Sequence, residues 1–211
     1  MSKTNHTSRD PEMTRDRILD AALNIFSHKG YYDTKLDEIA NESQTSKGSI
    51  YFHFPNKERL FLSLVDQFSN LLERQVKDAI ATEKKGMRRV QIALETCLRT
   101  FGKYRRPAKI LLVQALGLGQ PFEQKRMEVN ERFAKLIGGY LREAVEQGEI
   151  EPLDLEVVSH AWMGAIYNII IRWVYTGEPE PQRIVDSLVP LLLKSVDYEE
   201  SMTESAEPEE G

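Results

Sequence analysis

The chain has 211 residues, of which 41% are hydrophobic and 29% charged, and its formal net charge is −5. This length and apolar content suffice for one small and one larger domain that fold without disulfide or metal cross-links. The single cysteine, Cys97, excludes an internal disulfide and a cysteine metal cluster. Residues 1–12 are polar and lack the apolar core of a signal peptide, so we expect a cytoplasmic protein.

The acidic residues are concentrated at the C-terminal end. Residues 197–211 hold seven acidic residues and no lysine or arginine, which is typical of a solvated, disordered tail. Residues 1–60 hold nine basic and nine acidic residues. Any nucleic-acid binding must therefore come from the local placement of basic groups and not from bulk charge.

Two helices are predicted at the start of the chain, after a flexible arm at residues 1–12. The first runs from Thr14 to Lys29, with Gly30 as its C-terminal cap. The second follows Thr34, a predicted N-cap with Asp37 three residues later, and carries an apolar stripe. Lys3 and Arg9, in the arm before them, are candidates for touching DNA.

A third short helix is predicted from a cap at Thr45 or Ser46 to about His53. Ile50 and Phe54 share one stripe and are expected to pack inward. The outer face then carries a lysine, a glycine and two aromatic rings: Lys47, Gly48, Tyr51 and Phe52. In a helix-turn-helix the second helix enters the major groove N-terminus first, where such side chains meet DNA.

The stretch I-A-N-E-S-Q-T-S-K-G-S-I-Y-F-H-F-P-N-K, preceded by F-S-H-K-G-Y, resembles the N-terminal domain of the TetR family of transcriptional regulators. The resemblance covers roughly residues 13–60 and implies an all-α fold, with an N-terminal three-helix helix-turn-helix domain and a C-terminal helical ligand-binding and dimerisation domain. It places seven residues at DNA-contacting positions: Lys47, Gly48, Ser49, Tyr51, Phe52, His53 and Lys57.

Two further DNA contacts are predicted, and the sequence departs from the family pattern in two places. Ser46 begins a helix whose free N–H groups suit a phosphate. Lys35 stands where the family commonly has the second threonine of a pair, so a charged phosphate contact would replace a hydroxyl one. The elbow Ser43-Gln44-Thr45-Ser46 lacks the usual glycine, which leaves the elbow angle open.

The remainder of the chain is predicted to be helical. The expected helices span residues 57–83, 87–104, 108–116, 122–147, 155–175 and 184–196, followed by the acidic tail at 197–211. Gly86 is expected to separate helices 57–83 and 87–104, and Pro107 to occupy the first helical position of the next helix. Asp154 is expected to be the N-cap of helix 155–175. We assign residues 13–60 to DNA binding and 61–196 to effector binding and dimerisation.

Helix 155–175 is apolar nearly all round, but charged residues such as Arg172 argue against a membrane span. The apolar side chains of this helix must therefore be covered by other parts of the protein on most sides. Together with helix 184–196, which Pro190 is expected to kink, it predicts a four-helix interface with a second copy of the chain, as the family resemblance also implies. Such a homodimer would bind a palindrome.

An effector pocket between the helices is predicted to be mostly apolar. The candidate lining residues are Phe101, Tyr104, Leu112, Phe133, Ile137, Trp162, Ile166, Asn168 and Arg172. Each has an alternative role: the apolar residues as core, and Arg172 as partner of an acid across the dimer. The pattern E-Q-G-E-I-E-P-L-D-L-E-V-V is loosely similar to acyl-CoA-responsive regulators of fatty acid metabolism, and Arg105, Arg106 and Lys109 offer either phosphate contacts or a solvated basic turn.

These features predict a ligand-responsive repressor that binds double-stranded DNA as a homodimer and is released by a small hydrophobic or amphipathic effector, with an acyl-CoA as one candidate. The four histidines are scattered, and we predict no catalytic residues, metal site, cofactor or membrane partner. Two alternatives stay open. In a helical interaction protein Tyr51 and Phe52 would be buried, and an enzyme would need clustered titratable groups in the C-terminal cavity.

Overall fold

The structure is a computed structural model that describes residues 11–197. Within this range it is all-α, with nine α-helices and one short π-helical segment. The α-helices are α1 Pro11–Lys29, α2 Leu36–Glu42, α3 Lys47–His53, α4 Lys57–Ile80, α5 Gly86–Lys103, α6 Arg105–Lys109, α7 Gln120–Glu146, α8 Leu155–Thr176 and α9 Pro181–Lys194, and the π-helical segment is Ile110–Gln114. Residues 1–10 of the predicted arm and 198–211 of the predicted tail lie outside the described residues, whereas Pro11 and Glu12, expected in the arm, begin α1.

The first three helices pack around a small apolar core. Ile18 and Phe26 of α1, Ile39 of α2 and Ile50 of α3 are all fully buried. Helix α1 ends as predicted at Gly30, whose φ of +84° is a left-handed conformation that glycine adopts without strain. This end sets the direction in which the chain leaves α1 towards α2.

Helix α2 begins differently from the prediction that Thr34 is its N-cap. Thr34 is buried, and its hydroxyl donates to the Gly30 carbonyl oxygen at 2.7 Å, so it closes the turn between α1 and α2. The cap position belongs to Lys35, whose backbone N–H donates to the Glu38 carboxylate at 3.2 Å. Asp37, expected to serve the cap, pairs instead with Lys47 at 2.9 Å.

The elbow between α2 and α3 forms without glycine. Gln44 adopts a left-handed φ of +53°, and the next residue, Thr45, donates its N–H to the Ala40 carbonyl oxygen at 2.9 Å. The hydroxyls of Ser43 and Thr45 are 2.8 Å apart and hydrogen-bonded. The short polar side chains therefore hold the elbow in the shape that a glycine would allow, at the cost of a strained residue.

Gln44→Gly is expected to stabilise the protein by about 0.5–1 kcal/mol. A side chain in the left-handed region costs roughly 1–2 kcal/mol, from which the larger unfolded-state entropy of glycine, about 0.5–1 kcal/mol, must be subtracted. Chemical denaturation of the wild type and the variant measures the difference. A loss of stability would show that the Gln44 side chain contributes more than its backbone strain costs.

Helix α4 runs from the three-helix core into the larger helical body. Phe61 and Val65 of α4 are buried near the core and Leu72 further along, where α4 packs against α5. In the body, α5 lies against α7 and α9, and α7 lies against α8. None of the described helices combines the length and apolarity that a membrane crossing requires.

Several helix bounds in the body differ from those predicted. The predicted helix 108–116 is split into α6 and the π-helical segment, and Pro107 lies inside α6 and not at its first position. Helix α7 begins at Gln120, two residues before the predicted start, with Pro121 in its first turn, and Gly86, expected to break the chain between helices, begins α5. Helix α9 continues through Pro190, because a proline removes one hydrogen bond without ending a helix that is packed on its neighbours.

Candidate DNA-binding surface and internal cavity

Helix α3 presents its apolar stripe to the core and its aromatic pair to solvent, as predicted. Its cap is Ser46, whose hydroxyl oxygen accepts the Ser49 N–H at 3.0 Å. Ile50 and Phe54 are 0% and 2% exposed, whereas Tyr51 and Phe52 are 48% and 80% exposed. Large exposed rings on a short helix form a surface ready for contact with another molecule.

The N-terminal turn of α3 also exposes a cation and a bare stretch of backbone. The ammonium group of Lys47 lies 2.9 Å from the Asp37 carboxylate, and that hydrogen bond raises the pKa of Lys47. Asp37 thus orients Lys47 and would have to share it with a phosphate. A Cβ added to Gly48 would meet only the Ser46 hydroxyl at 3.7 Å, so the fold itself does not require glycine there.

Gly48→Ala is expected to raise stability by about 0.5–1 kcal/mol and to weaken operator binding at least tenfold. Alanine is the better helix former, and the protein has room for its methyl group. The loss of affinity would arise because the methyl group holds DNA away from the backbone of α3. Thermal unfolding and a gel shift measure the two effects, and unchanged DNA affinity would mean that Gly48 does not approach the duplex.

The other predicted contacts surround α3. Lys35 is exposed at the start of α2, and Ser49 is half-buried. His53 is half-buried with its ring 5.1 Å from that of Phe52. Asn56 caps α4, since its side-chain oxygen accepts the Arg59 N–H at 2.8 Å. Whether these residues touch DNA stays a prediction.

Lys57, predicted to clamp a phosphate, is engaged within the protein. Its ammonium group donates to the carbonyl oxygens of Tyr31, Tyr32 and Thr34 at 2.8, 3.4 and 3.0 Å. It also lies 4.5 Å from the centre of the Tyr31 ring, and its burial lowers its pKa. In this structure Lys57 holds the turn between α1 and α2, and its contact with phosphate remains a prediction.

Lys57→Met is therefore expected to lower the free energy of unfolding by about 1–2 kcal/mol, below the value for a fully buried charged hydrogen bond because the site is partly exposed. Operator affinity should also fall, since the turn fixes the position of α2. Urea denaturation and gel shifts on specific and unrelated DNA measure both. If stability is unchanged and affinity falls equally for all sequences, Lys57 acts only on phosphates.

The body contains a narrow, largely apolar cavity of about 60 Å³. Helices α4, α5, α7 and α8 and the π-helical segment contribute to its wall. Five of the predicted lining residues are in the wall: Phe101, Leu112, Phe133, Ile137 and Ile166. Cys97 is there too, and burial raises the pKa of its thiol to about 12, so the thiol stays protonated and unreactive.

Four of the predicted lining residues are not in the cavity wall. Tyr104 ends α5 with its ring 6.4 Å from that of Phe68. Trp162 points to α9, where its indole N–H donates to the Ser195 hydroxyl at 3.0 Å. Asn168 and Arg172 lie on the exposed side of α8. The prediction was wrong for these residues because α8 is apolar on most sides and its pattern does not indicate which side faces the cavity.

The basic residues of α6 bind helix ends of the protein itself. The Arg105 guanidinium donates to the Val174 carbonyl oxygen of α8 at 2.8 Å. The Lys109 ammonium donates to the Ser27 carbonyl oxygen of α1 at 2.7 Å. Arg106 donates to the Asn24 side chain at 3.2 Å. Arg105 and Lys109 complement the negative C-terminal ends of α8 and α1, and Arg106 and Lys109 tie the body to the three-helix domain.

The three-helix domain matches a known family. The model for "Bacterial regulatory proteins, tetR family" matches residues 18–64, from α1 into α4. One relative over most of the chain is the HTH-type transcriptional regulator SrpR of Pseudomonas putida, which is 28% identical over 81% of this chain and 78% of its own length. The three-helix domain is thus assigned to this family, and over most of its length the chain resembles transcriptional regulators.

Two further comparisons cover the body as well. The fatty acid metabolism regulator protein of Bacillus subtilis is 25% identical over 85% of this chain and 94% of its own length. The crystal structure of FadR from Bacillus subtilis in complex with stearoyl-CoA superposes with a TM-score of 0.78, covering 86% of this chain and 98% of FadR at 21% identity. At that identity the superposition establishes the shared fold.

The polar groups of the cavity wall were not predicted from the sequence. These are Arg126, Asn130, Tyr140 and Tyr167. A signal for two of them was present, because Arg126 and Asn130 fall in the same helical register as the buried Phe122, Val129 and Phe133. A cation inside an apolar stripe indicates either a snorkelling side chain or a ligand contact.

Proposed function

We propose that this TetR-family regulator is a repressor that binds a palindromic operator as a homodimer and is released by an amphipathic effector in the cavity. The observation that carries the DNA part is α3, whose capped N-terminus, Lys47, Gly48 and the rings of Tyr51 and Phe52 are exposed together. Free N–H groups and a cation suit phosphates, and the rings suit thymine methyls and sugars. Residues 13–60 would form this DNA-binding domain.

A gel shift on the promoter DNA of the protein's own gene tests the proposal. Sequence-specific retention that weakens with salt is expected, because phosphate contacts release counterions. Failure to retain any DNA at low or high salt would overturn it. Deletion of the gene should raise expression from the promoter, since a protein seated there blocks polymerase, and lowered expression would instead indicate activation.

The exposed side of α8 supports dimerisation. Val157 and Tyr175 are 62% and 67% exposed, and Ala161 and Gly164 lie between them on the same side. On α9, Leu191 is 63% exposed. Small residues flanked by apolar ones permit close helix–helix approach, and a second copy would cover this surface in a two-fold arrangement with residues 61–196 as the dimerisation and effector domain.

Gly164→Glu tests the dimer, because nothing lies within 4 Å of a Cβ at this position in one chain. The variant should fold and sediment as a monomer, and it should lose operator affinity because one domain contacts only one half-site. Gly139→Glu, at an equally open position of α7, serves as the matched control. A Gly164→Glu variant that stays dimeric would place the interface elsewhere.

The cavity supports a hydrophobic or amphipathic effector. Its wall is apolar apart from a few polar side chains, and the FadR structure to which this chain is similar contains stearoyl-CoA. We propose an acyl compound, with acyl-CoA among the candidates. Native mass spectrometry of the purified protein should detect such a ligand, and a retained ligand without an acyl chain would overturn this assignment.

The two alternatives have less support. A helical interaction protein requires Tyr51 and Phe52 to be buried, and both are exposed. An enzyme requires converging titratable groups in the cavity, but the thiol of Cys97 is protonated and burial also raises the pKa of Tyr140 and Tyr167. The curated relatives are named as transcriptional regulators.

A further inference from the structure

The first two turns of α7 contact the DNA-binding domain and the cavity at once. Phe122, in the first turn, is buried with its ring 5.0 Å from that of Tyr31 and 5.5 Å from that of Phe61. One turn later Arg126 lies in the cavity wall. A displacement of this helix end would therefore change both the cavity wall and the packing against the DNA-binding domain.

Arg126 is held at present by an acid of the same helix. Its Nε and Nη2 atoms donate to the Glu123 Oε2 atom at 3.1 and 2.9 Å. The Oε1 atom of Glu123 accepts the Gly117 N–H at 3.1 Å. Glu123 thus ties the loop after the π-helical segment to the first turn of α7. The Gly117 N–H and then Arg126 lower the pKa of Glu123, which keeps it ionised.

The polar end of the cavity lies at Arg126. Among the described residues of the wall it is the one lysine or arginine, Asn130 follows one turn along α7, and Tyr167 faces it from α8. The side chain of Arg126 is 27% exposed, so this end is near solvent. From here the wall follows α7 to Tyr140, a helix length of about 21 Å, which suits a long acyl chain.

We propose that Arg126 binds the head oxygen of the acyl ligand and that this contact weakens its ion pair with Glu123. The head is either the carboxylate of a fatty acid or the thioester carbonyl of an acyl-CoA, since both present an oxygen acceptor at the same end of the chain. A carboxylate also repels Glu123 directly. The proposal rests on the proposed function and names the contact that couples ligand to DNA.

Release of Glu123 has a defined route to the DNA-binding surface. Without Arg126, Glu123 holds the Gly117 N–H less firmly, and the first turn of α7 moves together with Phe122. Phe122 packs on Tyr31, and the Tyr31 carbonyl oxygen is bound by Lys57 in the turn that positions α2. A shift of that turn changes the placement of α2 and α3, and so the spacing of two DNA-binding domains in a dimer.

The first test measures ligand binding by calorimetry without DNA, using the full-length protein with palmitate, palmitoyl-CoA and hexadecanol. Arg126→Gln should weaken binding of the compound with the recognised head about tenfold or more, the effect of losing a charged hydrogen bond, while hexadecanol binding changes little. Arg142→Gln, an exposed arginine of the same helix, is the matched control. Weakening confined to palmitate or to palmitoyl-CoA identifies the head group.

Equal affinities of Arg126→Gln and wild type for both palmitate and palmitoyl-CoA would overturn the proposal. Arg126→Lys provides a second variant if the first fails to fold, because lysine keeps the charge but cannot present the two-pronged guanidinium. It should bind the compound with the recognised head more weakly than wild type and more tightly than Arg126→Gln. An Arg126→Lys affinity equal to that of wild type for both palmitate and palmitoyl-CoA would again contradict the assignment.

The second test measures coupling through Glu123. Ligand should lower the operator affinity of the wild type about tenfold, a usual allosteric effect. Glu123→Gln should still bind the ligand, but the ratio of its operator affinities without and with ligand should fall towards one. A ratio equal to that of the wild type would overturn the route through Glu123. The two proposals fail separately, because the absence of operator binding defeats the proposed function while ligand binding at Arg126 is measured without DNA.

Discussion

Tyr51→Ala is expected to abolish specific operator binding while leaving the unfolding temperature unchanged. The Tyr51 side chain is 48% exposed on α3, and its removal leaves Ile50 and Phe54 in the core. The free energy of unfolding should therefore change little. A base or sugar contact contributes about 1–3 kcal/mol, and a two-fold dimer would lose it at both half-sites, which gives about 2–6 kcal/mol in total. Fluorescence anisotropy with an operator duplex measures the loss.

Two variants separate a direct contact of Tyr51 from a general effect. Tyr51→Phe keeps the ring and removes the hydroxyl, so it should retain base discrimination and lose only a phosphate contact. Tyr32→Ala removes another exposed tyrosine of the same domain, 70% exposed in the turn before α2, and should bind operator like the wild type. Full affinity of Tyr51→Ala would exclude the outer face of α3 from the DNA interface.

Helix α3 was predictable because its determinants are local. Ser46 as cap, Ile50 and Phe54 on one stripe and Asn56 as the next cap are all separated by a few residues, and helical spacing alone decides which side chains face inward. Even the elbow without glycine kept its shape, since Gln44 tolerates the left-handed conformation. The family resemblance adds the identity of the partner, which helical spacing cannot supply.

Lys57 shows where local reasoning stops. Its position at the start of a helix was predicted, and a cation there opposes the helix dipole, which indicates a role beyond the helix itself. The sequence does not show that the α1–α2 turn brings three carbonyl oxygens within reach of its ammonium group, because that meeting joins residues 23 to 26 positions apart. The same limit explains Thr34, whose hydroxyl serves the turn and not the helix.

The cavity was harder to predict than the DNA-binding surface because its wall combines five different segments. Phe133 and Ile137 were found since the stripe of α7 is amphipathic and points one way. On α8 the apolar residues surround the helix, so Asn168 and Arg172 were placed inward although the structure exposes them. The π-helical turn at Ile110–Gln114, which also lines the cavity, has no simple sequence signature.

The packing of α5 on α7 predicts the largest loss of stability from a single methyl group. A Cβ at Gly86 would lie 2.6 Å from both the Cα and N atoms of Ala144, closer than non-bonded atoms approach. Neither helix can easily retreat, because the Gly86 N–H donates to Gln147 at 2.9 Å and the Met87 N–H donates to the Glu149 carboxylate at 2.6 Å. Gly86→Ala should therefore cost about 3 kcal/mol, the upper end for overpacking.

Differential scanning calorimetry should show this loss as a fall in the unfolding temperature of about 6–12 °C for a chain of this size. Gly139→Ala is the matched control, because a methyl group there meets no atom within 4 Å and improves helix propensity, so it should stabilise α7 by about 0.5–1 kcal/mol. Since α5 and α7 both line the cavity, Gly86→Ala should also weaken ligand binding at the end near Tyr140. An unfolding temperature equal to that of wild type would mean that α5 and α7 can move apart at this crossing without cost. The crossing would then not fix the end of the cavity near Tyr140.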